Sequence, residues 1–287
     1  METNVTTKGK WGFFGISIPI MIWTLVPLLW IFATSLKSPS VFSAPATSTE
    51  FGLFWPKHIY WGNYSVIFTG GAKDLFLPAL WHSIIVCVLA TVISVVLATF
   101  CAYAIARLNF PGKKVILTTA LALSFFPAIA MVTPLFNLWR QVHLYDTIPG
   151  LVIPYITLTL PLSIWILAAF FQQIPWEMEQ AAQVDGASSW QAFRKVVAPL
   201  AAPGVFTTAI IAFFTAWNDF VFSSNLTSSN SQTVPAALAY FTGASQFQQP
   251  TGAICAAAVV VTIPVVILVL VFQRRIVAGL TSGAVKG

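Results

Sequence analysis

Apolar residues along this chain neither alternate nor recur as stripes; they form long runs separated by short polar segments. Coiled as a helix, a run of about 20 residues spans the hydrocarbon core of a bilayer, where a buried charge costs several kcal/mol. Reading from one charged group to the next predicts six spans, at 11–36, 80–105, 115–138, 150–171, 201–223 and 252–272. Prolines fall inside several of them (Pro19, Pro27, Pro127, Pro134, Pro154, Pro161 and Pro264), a pattern that packed membrane helices tolerate when neighbours satisfy the freed carbonyls. The pattern implies an all-α integral membrane protein, with residues 1–287 as one transmembrane domain.

The polar breaks orient the chain. With the N-terminus inside, the cytoplasmic segments hold Lys8, Lys10, Arg107, Lys113, Lys114, Arg194, Lys195, Arg274, Arg275 and Lys286, ten of the fourteen basic residues. Only Lys37, Lys57, Lys73 and Arg140 fall outside, so both termini are expected in the cytoplasm. Composition agrees: 57% hydrophobic and 8% charged residues leave too much apolar surface for a soluble fold. The net charge of +6 then reflects topology, and no nucleic-acid partner is expected. The first apolar run is too long for a signal-peptide core and reads as a retained span. Cys87, Cys101 and Cys255 lie within predicted helices without CxxC spacing, which argues for packing roles rather than a disulfide framework or a metal site.

Two predicted outer segments, 37–79 and 224–251, are rich in polar and aromatic residues. In the second, Tyr240, Phe241, Gln246 and Phe247 combine ring faces with hydrogen-bonding groups, a mixture that suits a sugar; an interfacial aromatic belt is the other reading. Just before it, the stretch "WNDF" (Trp217, Asn218, Asp219, Phe220) carries the only acid inside a predicted span. An intramembrane carboxylate is a candidate for a substrate path or gate, although at the outer end of a helix it can equally cap a neighbouring group.

The longest inner segment reads "EMEQAAQVDGASSWQAFRKVVAPL", from Glu177 to Leu200. Pro175 suits a first helical turn, Glu177 and Glu179 sit near that helix's positive end, and Gly186 can supply a left-handed terminal residue. Ser188 or Ser189 can cap a second helix in which Trp190, Phe193 and Val197 recur at helical spacing, and Pro199 and Pro203 are expected to end it before the fifth span. An amphipathic connector lying on lipid headgroups is the alternative, but three acids against two bases disfavour it.

The run from Glu179 to Pro199 resembles the EAA signature of bacterial ABC importer permeases, with Ala181, Ala182, Asp185, Gly186, Ala187, Phe193 and Pro199 in register. Gln180 stands where that family usually has Glu, which keeps a hydrogen-bonding group but removes a charge. The tail "QRRIVAGLTSGAVKG", including Gly279, Leu280, Thr281, Gly283 and Lys286, resembles the C-terminus of maltose-permease G subunits and their actinobacterial sugar-permease relatives. The resemblance implies a type I importer permease of the bacterial cell membrane. In it, Glu179, Gln180, Ala181, Ala182, Asp185, Gly186, Ala187 and Phe193 would couple to a cytoplasmic ATPase, and the tail would reach between two ATPase subunits. It further implies a second, different permease subunit and an extracytoplasmic solute-binding lipoprotein delivering a di- or oligosaccharide of the trehalose/maltose class. ATP and Mg would bind those ATPase partners; the chain has no G-x-x-x-x-G-K-[ST] run, and no cofactor of its own is expected. No G-x-S-x-G run is complete, and His58, His82 and His143 have no evident partner, so an enzyme is disfavoured. The alternatives are a same-family importer of a glycerol-phosphate diester or an amino sugar, and an ion-coupled transporter, which would need titratable groups near the membrane midplane.

Overall fold

Hydrocarbon offers no hydrogen bonds, so an apolar run crosses it only when each backbone N–H and C=O is satisfied within the chain, as a helix does locally. The computed structural model describes residues 7–43, 54–241 and 250–284, which contain helices and no strand. α1 (Thr7–Ser35) is followed by two short helices, α2 (Pro39–Ser43) and α3 (Gly62–Phe68), and by α4 (Lys73–Arg107), about 52 Å long at 1.5 Å per residue. Then come α5 (Lys113–Ser124), α6 (Ala128–Gln141), α7 (Ile148–Gln173), α8 (Trp176–Val184) and α9 (Ser189–Ala192), a π-helical turn over Phe193–Val197, α10 (Ala198–Trp217), the short α11 (Val221–Leu226) and α12 (Val234–Leu238), and α13 (Thr251–Ala284). Among the described residues, five helical runs are long and apolar enough to cross a membrane: Gly15–Ser35, Lys73–Arg107, Ile148–Gln173, Ser189–Trp217 and Thr251–Gln273.

The third apolar run differs from the single helix that the pattern predicts over 115–138. α5 and α6 meet at 89° across Phe125–Pro127. Pro127 has no N–H to continue the ladder and disfavours a helical conformation at Phe126. The end of α5 therefore tightens, with Phe125 N–H closing on the Ala122 carbonyl and Phe126 N–H on that of Leu123.

The fifth run departs in the opposite sense, because Pro199 and Pro203 do not separate the inner helix from the span. α9, the π turn and α10 form one helical run from Ser189 to Trp217. Ala198 N–H reaches back five residues to the Phe193 carbonyl. This extra residue shifts the hydrogen-bond register immediately ahead of Pro199, where a proline ring would otherwise crowd the preceding turn. The run ends at Trp217 rather than at 223, where the Asn218 side chain turns back onto the Phe214 carbonyl.

The chain divides into two compact units, Met1–Leu77 with Tyr240–Ile263 and Pro78–Ala239 with Pro264–Gly287. In the first, Asn63 is buried and its Nδ2 donates to the carbonyls of Ser35 and Lys37, both at 2.8 Å, tying α3 to the end of α1. Gly252 backs onto this amide so closely that a Cβ there would lie 2.5 Å from Asn63 Nδ2. In the second unit α7 packs against α5 and α10. Its core joins Ala98 and Ala102 of α4, Leu167, Ala168 and Phe171 of α7, Phe193 and Val197 of the π turn, and Ala201 of α10. The alanines let the helices approach closely, the usual basis of helix association in lipid.

Asn63→Leu should strand two buried carbonyls at ~1–3 kcal/mol each, lowering the melting temperature in detergent by roughly 4 °C or more. Tryptophan fluorescence reads the change; an unchanged transition would show that the amide does not hold α3 in place.

Candidate functional site

The segment after α7 is built as a helix, a glycine turn and a second helix. Gly186 has φ +88°, the left-handed region in which a side chain is strained. Around it, Gly186 N–H donates to the Gln183 carbonyl and Ala187 N–H to that of Ala182, the two bonds of a Schellman termination of α8. Two residues on, Ser188 opens α9 with a capping box: its hydroxyl accepts from Gln191 N–H while the Gln191 side chain accepts from Ser188 N–H. Gln180, Ala181, Asp185 and Gly186 are exposed, and Ala182 and Ala187 half-buried. Two apolar side chains are exposed beside the turn, Val184 at 86% and Trp190 at 57%, the latter with one side of its ring stacked on Phe193.

Glu179 and Phe193, which the motif groups with these surface residues, face inward. Phe193 belongs to the core of the second unit and packs edge-on to Tyr103, with ring centroids 4.8 Å apart. Glu179 is buried beneath α8: Tyr103 donates its hydroxyl to Oε1 at 2.5 Å, and Arg107 Nε lies 3.4 Å from Oε2. Arg107 also donates through Nη2 to the Ile174 carbonyl at 3.0 Å and lies 5.1 Å from the centre of the Trp176 ring. Apolar period and motif spacing do not reveal that Arg107 is the partner of Glu179; the isolated basic residue ending a long apolar run was the available signal.

At the other end of the second unit, the residues picked for a substrate path divide. Trp217 is buried and stacks on Phe213, whereas Asn218 is exposed. The Asp219 carboxylate accepts from Tyr155 hydroxyl at 2.9 Å and from the N–H groups of Phe222 and Ser223, both at 3.1 Å, which makes it the cap of α11. In the first unit, Tyr240 is exposed while Phe241 is buried edge-on against Phe76. Gln246 and Phe247 lie outside the described residues, as does Lys286; Gly279, Leu280, Thr281 and Gly283 fall in the last turns of α13.

Two features were not anticipated. A cavity of about 210 Å³ opens beside the α5–α6 break, between Ser124 of α5, Phe125 of the break, Thr159 and Ser163 of α7, and Thr215 of α10, large enough for several waters. Pro127 was its only trace in the sequence. The second is Asp146, held at φ 55°, whose Oδ1 accepts from Ser228 N–H at 2.8 Å, from Ser231 N–H at 3.2 Å and from Ser231 Oγ at 3.1 Å, while Oδ2 accepts from Asn230 Nδ2 at 3.0 Å. Asp146 N–H in turn donates to the Leu226 carbonyl, so one residue fixes the turn that leads into α12.

Among the described residues, five uninterrupted helical runs long enough to span a membrane, one broken pair and a polar helix-turn-helix between them define a multi-pass, all-helical membrane protein. The chain belongs to the family of binding-protein-dependent transport system inner membrane components, whose model matches residues 94–282. It is 52% identical over 266 residues to the trehalose transport system permease protein SugB of Mycobacterium tuberculosis, covering 92% of this chain and 93% of that one. It is 36% identical to the trehalose/maltose transport system permease protein MalG of Thermococcus litoralis over 94% and 95% of the two chains, and 35% identical to the sulfoquinovosyl glycerol permease SmoH of Agrobacterium fabrum over the full length of both. Its fold matches a chain of a bacterial ABC transporter that imports the polysaccharide alginate, with a TM-score of 0.74 at 21% identity over 96% of this chain and 99% of that one.

Asp146→Ala removes a carboxylate whose charge-assisted bonds are worth ~1.5–3 kcal/mol each, so the turn at 228–231 should become markedly more sensitive to protease while the helices stay intact. Cleavage of Asp146→Ala at the wild-type rate would show that the turn holds its shape without the carboxylate.

Proposed function

We propose that this chain is the G-type permease subunit of an ATP-driven importer carrying a di- or oligosaccharide of the trehalose/maltose class, delivered by an extracytoplasmic solute-binding protein. The observation that carries the coupling part is the turn at Gly186: a helix-turn-helix presenting Gln180, Ala181, Asp185 and exposed Val184 and Trp190 on a chain with no phosphate-binding loop of its own. Apolar side chains this exposed on a polar connector gain by being covered, and a cleft on a cytoplasmic ATPase subunit is the cover that suits a helix presented in this way. ATP and Mg belong to two such ATPase subunits, and the last residues of the chain reach between them. Both termini and the Gly186 turn then lie in the cytoplasm, in keeping with ten of the fourteen basic residues falling on that side.

A second, different permease completes the pathway. This chain contributes the hydroxyl oxygens of Ser124, Thr159, Ser163 and Thr215 around the helix break, which donate to carbonyls of their own helices and keep lone pairs as acceptors. The sugar assignment leans on the trehalose and trehalose/maltose permeases among its relatives. Relatives named for diacetylchitobiose and sulfoquinovosyl glycerol keep an amino sugar or a glycoside of glycerol as the second reading. An ion-coupled mechanism has less support, because Asp219, which the sequence pattern put inside a span, lies just beyond Trp217 and is committed to Tyr155 and the first turn of α11.

Radiolabelled trehalose uptake in a deletion strain tests the reading. The wild-type chain should restore uptake; Gly186→Trp and Ala182→Trp should reduce it at least ~10-fold at normal membrane levels, the first by placing a side chain at positive φ and the second by adding bulk beneath the turn. Restoration of diacetylchitobiose but not trehalose uptake would move the substrate class, and normal uptake by both variants would remove the dock from Gly186.

A further inference from the structure

The pair formed by Arg107 and Glu179 takes no part in the exposed surface of α8, since their side chains are 5% and 3% accessible. A buried ion pair is also a poor way to gain stability, because a well-packed apolar pair often does as well or better. Its use lies in direction. α8 has nine residues, too few to persist as a helix without tertiary support, and most of its surface is exposed. From α4, two residues four positions apart meet the two oxygens of one carboxylate: Tyr103 donates to Oε1, and Arg107 pairs its charge with Oε2 at 3.4 Å without a hydrogen bond. Arg107 also holds the Ile174 carbonyl and covers Trp176, at the entry to α8. Rotation of α8 about its axis, or sliding along α4, breaks at least one of these contacts. An apolar contact would allow such slippage at little cost.

α9 has a different attachment. It continues through the π turn into α10, whereas α8 follows α7 across Ile174 and Pro175 and is tied to α4 by side chains, so the two short helices on either side of Gly186 are attached to different spans. We propose that Glu179, held by Arg107 and Tyr103, is the link through which a displacement of α8 moves α4, which makes these three positioning residues for coupling rather than docking residues. The proposal rests on the reading of the Gly186 turn as the ATPase dock. It predicts a separation that a docking or folding role would not produce: loosening the link leaves ATP hydrolysis in place and loses the movement it drives.

The test uses the complete transporter in liposomes, comparing wild type with Glu179→Gln, with Tyr103→Phe, and with the charge swap Glu179→Arg/Arg107→Glu. Solute-stimulated ATP hydrolysis, solute uptake and melting temperature are measured on each. Glu179→Gln, which keeps the side-chain shape and an acceptor for Tyr103, should hydrolyse ATP near the wild-type rate while uptake per ATP falls about fivefold, the scale of a coupling change of this kind. The swap should recover part of that loss. A parallel fall of hydrolysis and uptake, or an unchanged ratio in Glu179→Gln, overturns the link. Should Glu179→Gln fail to assemble, Tyr103→Phe decides, since it removes a single hydroxyl; an unchanged ratio there overturns the link equally. A wild-type complex that shows no solute-stimulated hydrolysis would instead remove the function on which the link rests.

Discussion

Each backbone N–H and C=O that enters hydrocarbon must find its partner inside the chain, and the other features of this protein depend on how that requirement is met. Where the helices are regular it is met locally. Where they are not, side chains or altered register meet it: the π turn shifts the ladder ahead of Pro199, Asn218 closes the end of α10 on the Phe214 carbonyl, and Asp219 caps α11 with its carboxylate. Hydroxyls take part as well. Thr159 bonds both to the Tyr155 carbonyl of its own helix and to Ser94 of α4, one of few polar bonds between helices inside the membrane region.

Charge is used sparingly under the same constraint. Among the acids of the described residues, three organise structure around themselves: Glu179 at the foot of α4, Asp146, which holds the turn before α12, and Asp219 at the start of α11. Each joins segments distant in sequence, at places where apolar packing alone would leave the register free. Asp185, on the exposed turn, is by contrast free to meet a partner.

A division of labour follows within one motif. Some positions of the Glu179–Phe193 stretch are committed to the inside and the others left on the surface, and the sequence pattern does not distinguish them. Glu179 and Phe193 anchor the segment to α4 and to the core, while Gln180, Ala181, Val184 and Asp185 form its exposed face. The joint is thus rigid toward its own spans and open toward whatever covers it.

The sequence by itself determined the elements governed by local chemistry. Long uncharged runs had to be helices, Gly186 could take a positive φ that terminates α8, and Ser188 with Gln191 three residues later could close a capping box. Family membership was legible for the same reason, since the EAA-type stretch is contiguous. What depended on partners remote in the chain was decided by tertiary structure alone: that Pro127 breaks a span while Pro199 does not, that Glu179 meets Arg107 more than seventy residues earlier, that Phe193 and Phe241 turn inward, and that Asp219 serves a cap. A proline has the same local effect everywhere, and a carboxylate the same charge. Whether the first bends a helix and whether the second is buried depends on which donors and side chains the folded chain brings within a few ångströms.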